Sequence, residues 1–283
     1  MATTVSYTNF SSNCVNFEII ENGAGKTKKI SIMIKYNNKS FKIEVPNARM
    51  PWHVKSWNDD KSASYSIPAS ALPPRGEGQK DEEYQANCET ITKFFDELKR
   101  LNEQFIEFCH ENSKKIFGRK LSMELIQDRN NNFVKINEAG DYPDRISPKI
   151  QKVGVKQPDG TWEKTDKPDV KIYVQDDGKF NPIAYDTFGD LCEASQGWSS
   201  TKMIIHPRCY ILAKGDFGIS LNADTILAFP KSAKNLNPLD AFTKDDIVVA
   251  KKETEIVEKE EKEPVDSEAE SASETETEPE EDN

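Results

Sequence analysis

Between Lys202 and Lys214, side chains able to hold an anion alternate with side chains that avoid water. Lys202, His206, Arg208, Tyr210 and Lys214 occupy even positions, while Met203, Ile205, Cys209, Ile211 and Ala213 occupy odd ones. A period of two predicts a strand with one packed face and one face of cations and a phenol ring. Cations follow phosphates and flat rings stack on bases, so this face carries chemistry suited to a single nucleic-acid strand. The same pattern also describes an amphipathic strand whose outer face is simply solvated. Lys214-Gly215-Asp216 supplies a turn, and Phe217, Ile219 and Leu221 restore the apolar face on the way back to Phe229.

Other chemistry finds little support in the residue spacing. Gly23-Ala24-Gly25-Lys26-Thr27 has the end of a phosphate loop, but Ile20 stands where the first glycine is needed and a strand follows instead of a helix. Asp216-Phe217-Gly218 lacks the other kinase segments and is better explained by the hairpin turn. His206 and Cys209 form half a zinc motif, and alternation sends them to opposite faces. With three histidines (His53, His110, His206) and no Gly-x-Ser-x-Gly, no nucleophile and base are paired. The expectation is therefore a binding protein with no catalytic residue, metal or cofactor.

The elements that must position such a face can be followed along the chain. Val15, Phe17, Ile19 and Ile20 suggest a first strand within residues 1–22. Lys28 to Val45 predicts a hairpin with Ile30, Ile32, Ile34 and Tyr36 on one face, matched by Phe41, Ile43 and Val45 on the return arm. Asn37-Asn38 fits its turn because asparagine tolerates left-handed geometry. Lys29, Lys35 and Lys42 then point outward as phosphate contacts or as a solvated, aggregation-resistant edge. The loop that follows holds Trp52, Trp57 and Tyr65, which either anchor it on the core or stand ready to stack. Apolar residues recur every three or four positions from Asp81 to Phe117, which predicts a long helical insertion, interrupted somewhere, and capped by Gly118. Residues 119–141 fit helix or strand. Beyond them come strands with a Pro-Asp-Gly turn at 158–160, Trp162, and Val170, Ile172 and Val174 inward against Lys171 and Tyr173 outward. Thr187 to Ala194 reads as a short helix before Trp198.

The order of these elements predicts an α+β protein built on an antiparallel, closed sheet. The domain runs over 1–230, a linker over 231–250, and an acidic tail over 251–283. That tail holds 15 acids and 4 bases and accounts for the whole net charge of −11, leaving residues 1–250 neutral. Such a composition predicts disorder, with roles as a solubilising end, a competitor for a basic groove, or a lure for a basic partner. The five scattered cysteines point to reduced thiols inside a cell. No basic segment precedes an apolar run at Met1, and no 18-residue apolar stretch exists, so neither a signal peptide nor a membrane span is expected.

Ile146 to Phe229, above all KIQKVGVK, VKIYV, PRCYILAKGDFGIS and ADTILAF, resembles the single-stranded-DNA-binding proteins of nucleocytoplasmic large DNA viruses, related to an African swine fever virus protein. The likeness extends over residues 25–230. It implies an OB-like β-barrel with helical insertions, no catalysis, and work in viral DNA replication, recombination or repair. It also implies a place in the host cytoplasm or nucleus at sites of viral DNA replication, or in the virion. Alternation nominates Lys29, Lys35, Lys42, Lys171, Arg208 and Lys214 for phosphates, and Tyr173, Tyr210, Trp162 and Trp198 for bases. The expected partner is single-stranded DNA, with RNA left open, and replication proteins recruited by the tail. A rival reading is an acidic-tailed protein that chaperones histones or other basic partners.

Overall fold

The computed structural model describes residues 2–23, 29–56, 64–76 and 78–231. The acidic tail, most of the linker, Trp57 and most of Gly23–Thr27 lie outside the described residues. The chain begins with β1 (Thr3–Val5), a 3-10 turn (Ser12–Cys14), β2 (Val15–Asn22), β3 (Lys29–Tyr36) and β4 (Phe41–Arg49). Three two-residue strands follow: β5 (Lys55–Ser56), β6 (Tyr65–Ser66) and β7 (Ala69–Ser70). Next come α1 (Asp81–Glu111), α2 (Ser113–Phe117) and α3 (Met123–Arg129), then β8 (Asn130–Asn131), β9 (Val134–Lys135) and β10 (Arg145–Ile146). The last part holds β11 (Lys149–Lys156), β12 (Trp162–Asp169), β13 (Lys171–Asp176), β14 (Lys179–Ile183), α4 (Phe188–Ser195), β15 (Trp198–Ile211) and β16 (Phe217–Pro230).

The principal sheet runs β1-β4-β15-β16-β11-β6-β5, with β13 and β8 also on β16, β14 on β13 and β12 on β11. It is mixed, which corrects the antiparallel expectation. β15 pairs antiparallel with β4 and β16, but β1 runs parallel to β4, and β8, β11 and β13 run parallel to β16. Parallel partners need a crossover between them, and helices or whole hairpins intervene at each of these pairings on β16.

The hairpin expected from Lys28 to Val45 closes at its turn, where Tyr36 and Lys39 exchange backbone hydrogen bonds, but its ladder goes no further. Asn37 (φ 48°) and Asn38 (φ 63°) do take left-handed geometry and turn the chain. Yet β3 pairs in unbroken antiparallel register with β2, from Val15 opposite Tyr36 to Asn22 opposite Lys29, while β4 joins β1 and β15. Phe41, Ile43 and Val45 are at most 1% exposed, so β4 gains more by entering the principal sheet than by doubling back on β3.

Helix α1 lies across the packed side. Its apolar stripe (Ile91, Phe94, Phe95, Leu98, Leu101, Phe105, Cys109) is buried, and Asp81, Glu82 and Glu83 occupy its electropositive first turn. Its 31 residues span about 46 Å. The expected interruption falls at Asn112 (φ −98°, ψ 13°), and Gly118 (φ 76°) caps α2. Phe105 stands between Phe17 of β2 at 5.0 Å and Phe217 of β16 at 5.7 Å, joining helix, ribbon and sheet. Because Phe105 is fully buried, Phe105→Ala is expected to destabilise the fold by about 3–5 kcal/mol, read as an earlier urea midpoint at unchanged slope. Among the described residues, no helix is long and apolar enough to cross a membrane.

Candidate nucleic-acid interface

Register places the candidate side chains, since residues directly opposite in a ladder share a face. From the turn end, Tyr210 lies opposite Gly218, Arg208 opposite Ser220 and His206 opposite Asn222. One irregularity at Asp224 shifts the phase, after which Ile204 faces Thr225 and Lys202 faces Leu227. On the far side of β16, Lys171 of β13 meets Thr225 and Tyr173 meets Leu227. Ile172, Ile205, Ile219, Leu221 and Ile226 take the opposite side and are buried. Lys171, Tyr173, Arg208 and Tyr210 therefore share the outer surface of one sheet, backed by core. From Lys202 to Tyr210 the strand covers about 26 Å.

Charge on this surface is partly neutralised. Lys42 donates to Asp224 at 2.6 Å, and Lys202 pairs with Glu44 at 2.5 Å. Burial alone would raise the Asp224 carboxyl, but hydrogen bonding and attraction from Lys42, with help from Thr225 and Lys171, hold it below the usual range. Glu44 behaves alike: burial raises it, and Lys202 with Ser6 more than reverses that. Lys171 and Arg208 are exposed and form no ion pair with a described residue. His206 sits among them, its imidazole pushed below its ordinary range by burial and then by Arg208 and Lys42, with Asp224 acting in the other direction. It is a neutral ring at pH 7.

Tyr210 is held down across Gly218. A Cβ at Gly218 would come within 2.8 Å of both the Tyr210 hydroxyl and the Asn131 backbone oxygen, so the bare backbone is what admits the phenol. Burial raises the Tyr210 phenol above its usual range, an effect tempered by a hydrogen bond from the Asn131 side chain. Trp162 is seated similarly on the β11–β12 hairpin, its ring 3.4 Å from where a Cβ of Gly154 would stand and 72% exposed.

Other candidates stand elsewhere. Lys29 is exposed on the β2–β3 ribbon, and Lys35 of the same ribbon forms an ion pair with Glu18. Lys214 is exposed in the turn closed by the Leu212 amide on the Asp216 carbonyl. Trp198 is a correction: it is 5% exposed and packed in the core, so its ring has no open side for a base. A shift in register between Trp198 and Ser200 breaks the alternation there. Two loop aromatics are anchors, with Tyr65 stacked on Phe188 at 4.0 Å and Trp52 lying under Lys55 and Arg145. His206 and Cys209 do point to opposite sides, the thiol partly buried against the core and raised above its usual range by that burial.

Residues not nominated from the sequence also reach this surface. Lys149 of β11 lies opposite Asn222, and the Gln151 side chain donates to Asn222 at 2.7 Å. Alternation around the buried Ile150 would have found both. Lys135, on a two-residue strand, left no periodic signal.

No family model and no curated protein matches the chain. Among solved structures it is similar to the single-stranded DNA-binding protein from bacteriophage Enc34 in complex with ssDNA, at 14% identity over 76% of this chain and 97% of that one, TM-score 0.37. The structure of that phage protein alone gives 15% identity over 80% and 99%, TM-score 0.35. The bacteriophage T7 single-stranded DNA-binding protein gp2.5 gives 11% identity over 69% and 97%, TM-score 0.37. Likenesses at this level identify no binding residue in this chain.

Proposed function

We propose that the protein binds single-stranded DNA without sequence preference along the outer surface formed by β4, β15, β16 and β13. The observation that carries this reading is the common placement of Lys171, Tyr173, Arg208 and Tyr210, two cations and two rings, on one face with the core behind it. Phosphates would run past Lys171, Arg208 and Lys149, with Lys42 and Lys214 at the margins, and bases would stack on Tyr173 and Tyr210. The reading needs no catalytic group, metal or cofactor, and it needs neither Lys29 nor Lys35. Trp162 would serve a strand long enough to reach the hairpin. RNA offers the same phosphates and rings and would compete.

The finer reading rests on the resemblance of Ile146 to Phe229 to viral proteins. It places an OB-like body at work in viral DNA replication, recombination or repair inside the host cell, or in the virion. Residues 251–283 would compete for the face or recruit replication proteins. The test is an anisotropy titration of poly-dT at two salt concentrations, with the full chain and with a chain lacking 251–283. Tighter binding by the shorter chain is expected, and no binding at low salt would overturn the proposal. If the shorter chain instead loses a histone partner, the chaperone reading takes its place.

His206 adds a pH dependence with a defined sign. A phosphate laid between Arg208 and Lys42 favours the imidazolium, so binding takes up a proton wherever the free imidazole is neutral. Affinity should therefore rise as pH falls from about 7 toward about 5.5. His206→Gln is expected to flatten that rise. Folding stability moves the other way, because the unfolded chain accepts the proton more readily than the lowered folded imidazole, and it declines below about pH 6.5.

A further inference from the structure

At the turn end of the binding face, the surface dips into a shallow depression of about 160 Å³ lined by Asn131, Phe133, Lys135, Lys149, Tyr210 and Ser220, among others. Drug-sized ligands occupy about 300–1,000 Å³, so a space this small suits one ring and not a whole nucleotide chain. Its lining has two kinds of surface. Phe133 and Tyr210 supply aromatic lining, and the Tyr210 ring is fixed by its seat on Gly218 and by the Asn131 amide. Lys135 and Lys149 supply two exposed amines, neither in an ion pair with a described residue. Lys149 also lies opposite Asn222, which belongs to the same row of rungs as Arg208.

Resting on the proposed single-strand binding, we infer that this depression takes one base of the bound strand edge-in, anchoring it at a fixed point, while Lys135 and Lys149 hold the phosphates on either side. Elsewhere on the face, Tyr173 offers a single half-buried ring on the sheet surface. Here Phe133 and Tyr210 both line the depression, so a base that enters meets two aromatic side chains and its nucleotide contributes more than its neighbours. The Ser220 hydroxyl can donate or accept, so the anchor tolerates any base.

The experiment uses the full chain and the shortest oligo-dT that still binds at full strength, a length that fixes the register. An abasic residue is substituted at each position in turn. One position should lose about 5- to 150-fold in affinity, the range for losing one base–aromatic stack, and the others should lose less. Lys135→Ala with Lys149→Ala should lower the slope of log K against log salt by about 1.4, two contacts at about 0.7 each. If the unmodified oligomer binds but every abasic position costs less than about threefold, or if the slope is unchanged, the anchor is overturned while the wider reading stands. Failure of the unmodified oligomer to bind overturns both.

Discussion

Tyr173→Leu combined with Tyr210→Leu is expected to weaken oligo-dT binding by at least about 30-fold, because each stacked base contributes about 1–3 kcal/mol. Leucine keeps apolar bulk at both places and removes the flat ring. Tyr173 is half-buried opposite Leu227, so its single change, expected at about 5- to 150-fold, leaves the core untouched and reports on stacking alone. Tyr210→Leu also gives up the bond to Asn131, and its effect on folding must be measured beside its effect on binding. Loss of affinity with the melting temperature preserved supports stacking. Unchanged affinity in the double variant would remove the rings from the interface.

Neutralising Lys171 and Arg208, which form no ion pair with a described residue, should have a different signature. Lys171→Ala with Arg208→Ala is expected to reduce affinity about 25-fold at about 0.1 M salt, since each released contact with a single strand contributes a slope near 0.7. The difference from the ring variant lies in salt dependence. Removing rings shifts the line of log K against log salt downward, whereas removing cations makes it shallower by about 1.4 and brings the two proteins together at high salt. Lys42→Ala should do less. That lysine already neutralises Asp224, and its removal leaves an unpaired carboxylate facing the strand as well as a missing cation. Similar slopes for wild type and the double variant would mean that phosphates pass elsewhere.

Much of this arrangement was legible in the sequence wherever a period of two persisted. The β15–β16 hairpin, the inward set around Ile172 and the outward Lys171 and Tyr173 all came from alternation, which sterics enforce in any half-buried strand. Partner choice was not legible. The residues of β2, β3 and β4 share one pattern, and only the deeper burial available beside β15 sends β4 away from β3. The six two-residue strands among the described residues, including the one that carries Lys135, are too short to show any period. Trp198 was misread because alternation gives no warning of a register shift, and one displaced residue exchanges the two faces. The parallel neighbours of β16 were hidden for a related reason, since a local pattern carries no direction.

The close seating of Tyr210 on Gly218 ties the fate of two positions that are eight residues apart in the chain. A methyl group at 218 has nowhere to go while the phenol lies across it and the Asn131 carbonyl closes the other side. A smaller residue at 210 would relieve the phenol side alone, opening one wall of the nearby depression, and the Asn131 carbonyl would still have to shift. Drift at either site is thus constrained by the other, and paired replacements should prove strongly non-additive. If the proposed binding holds, a lineage, natural or engineered, that trades away the ring must restore its grip on a strand somewhere else along the sheet.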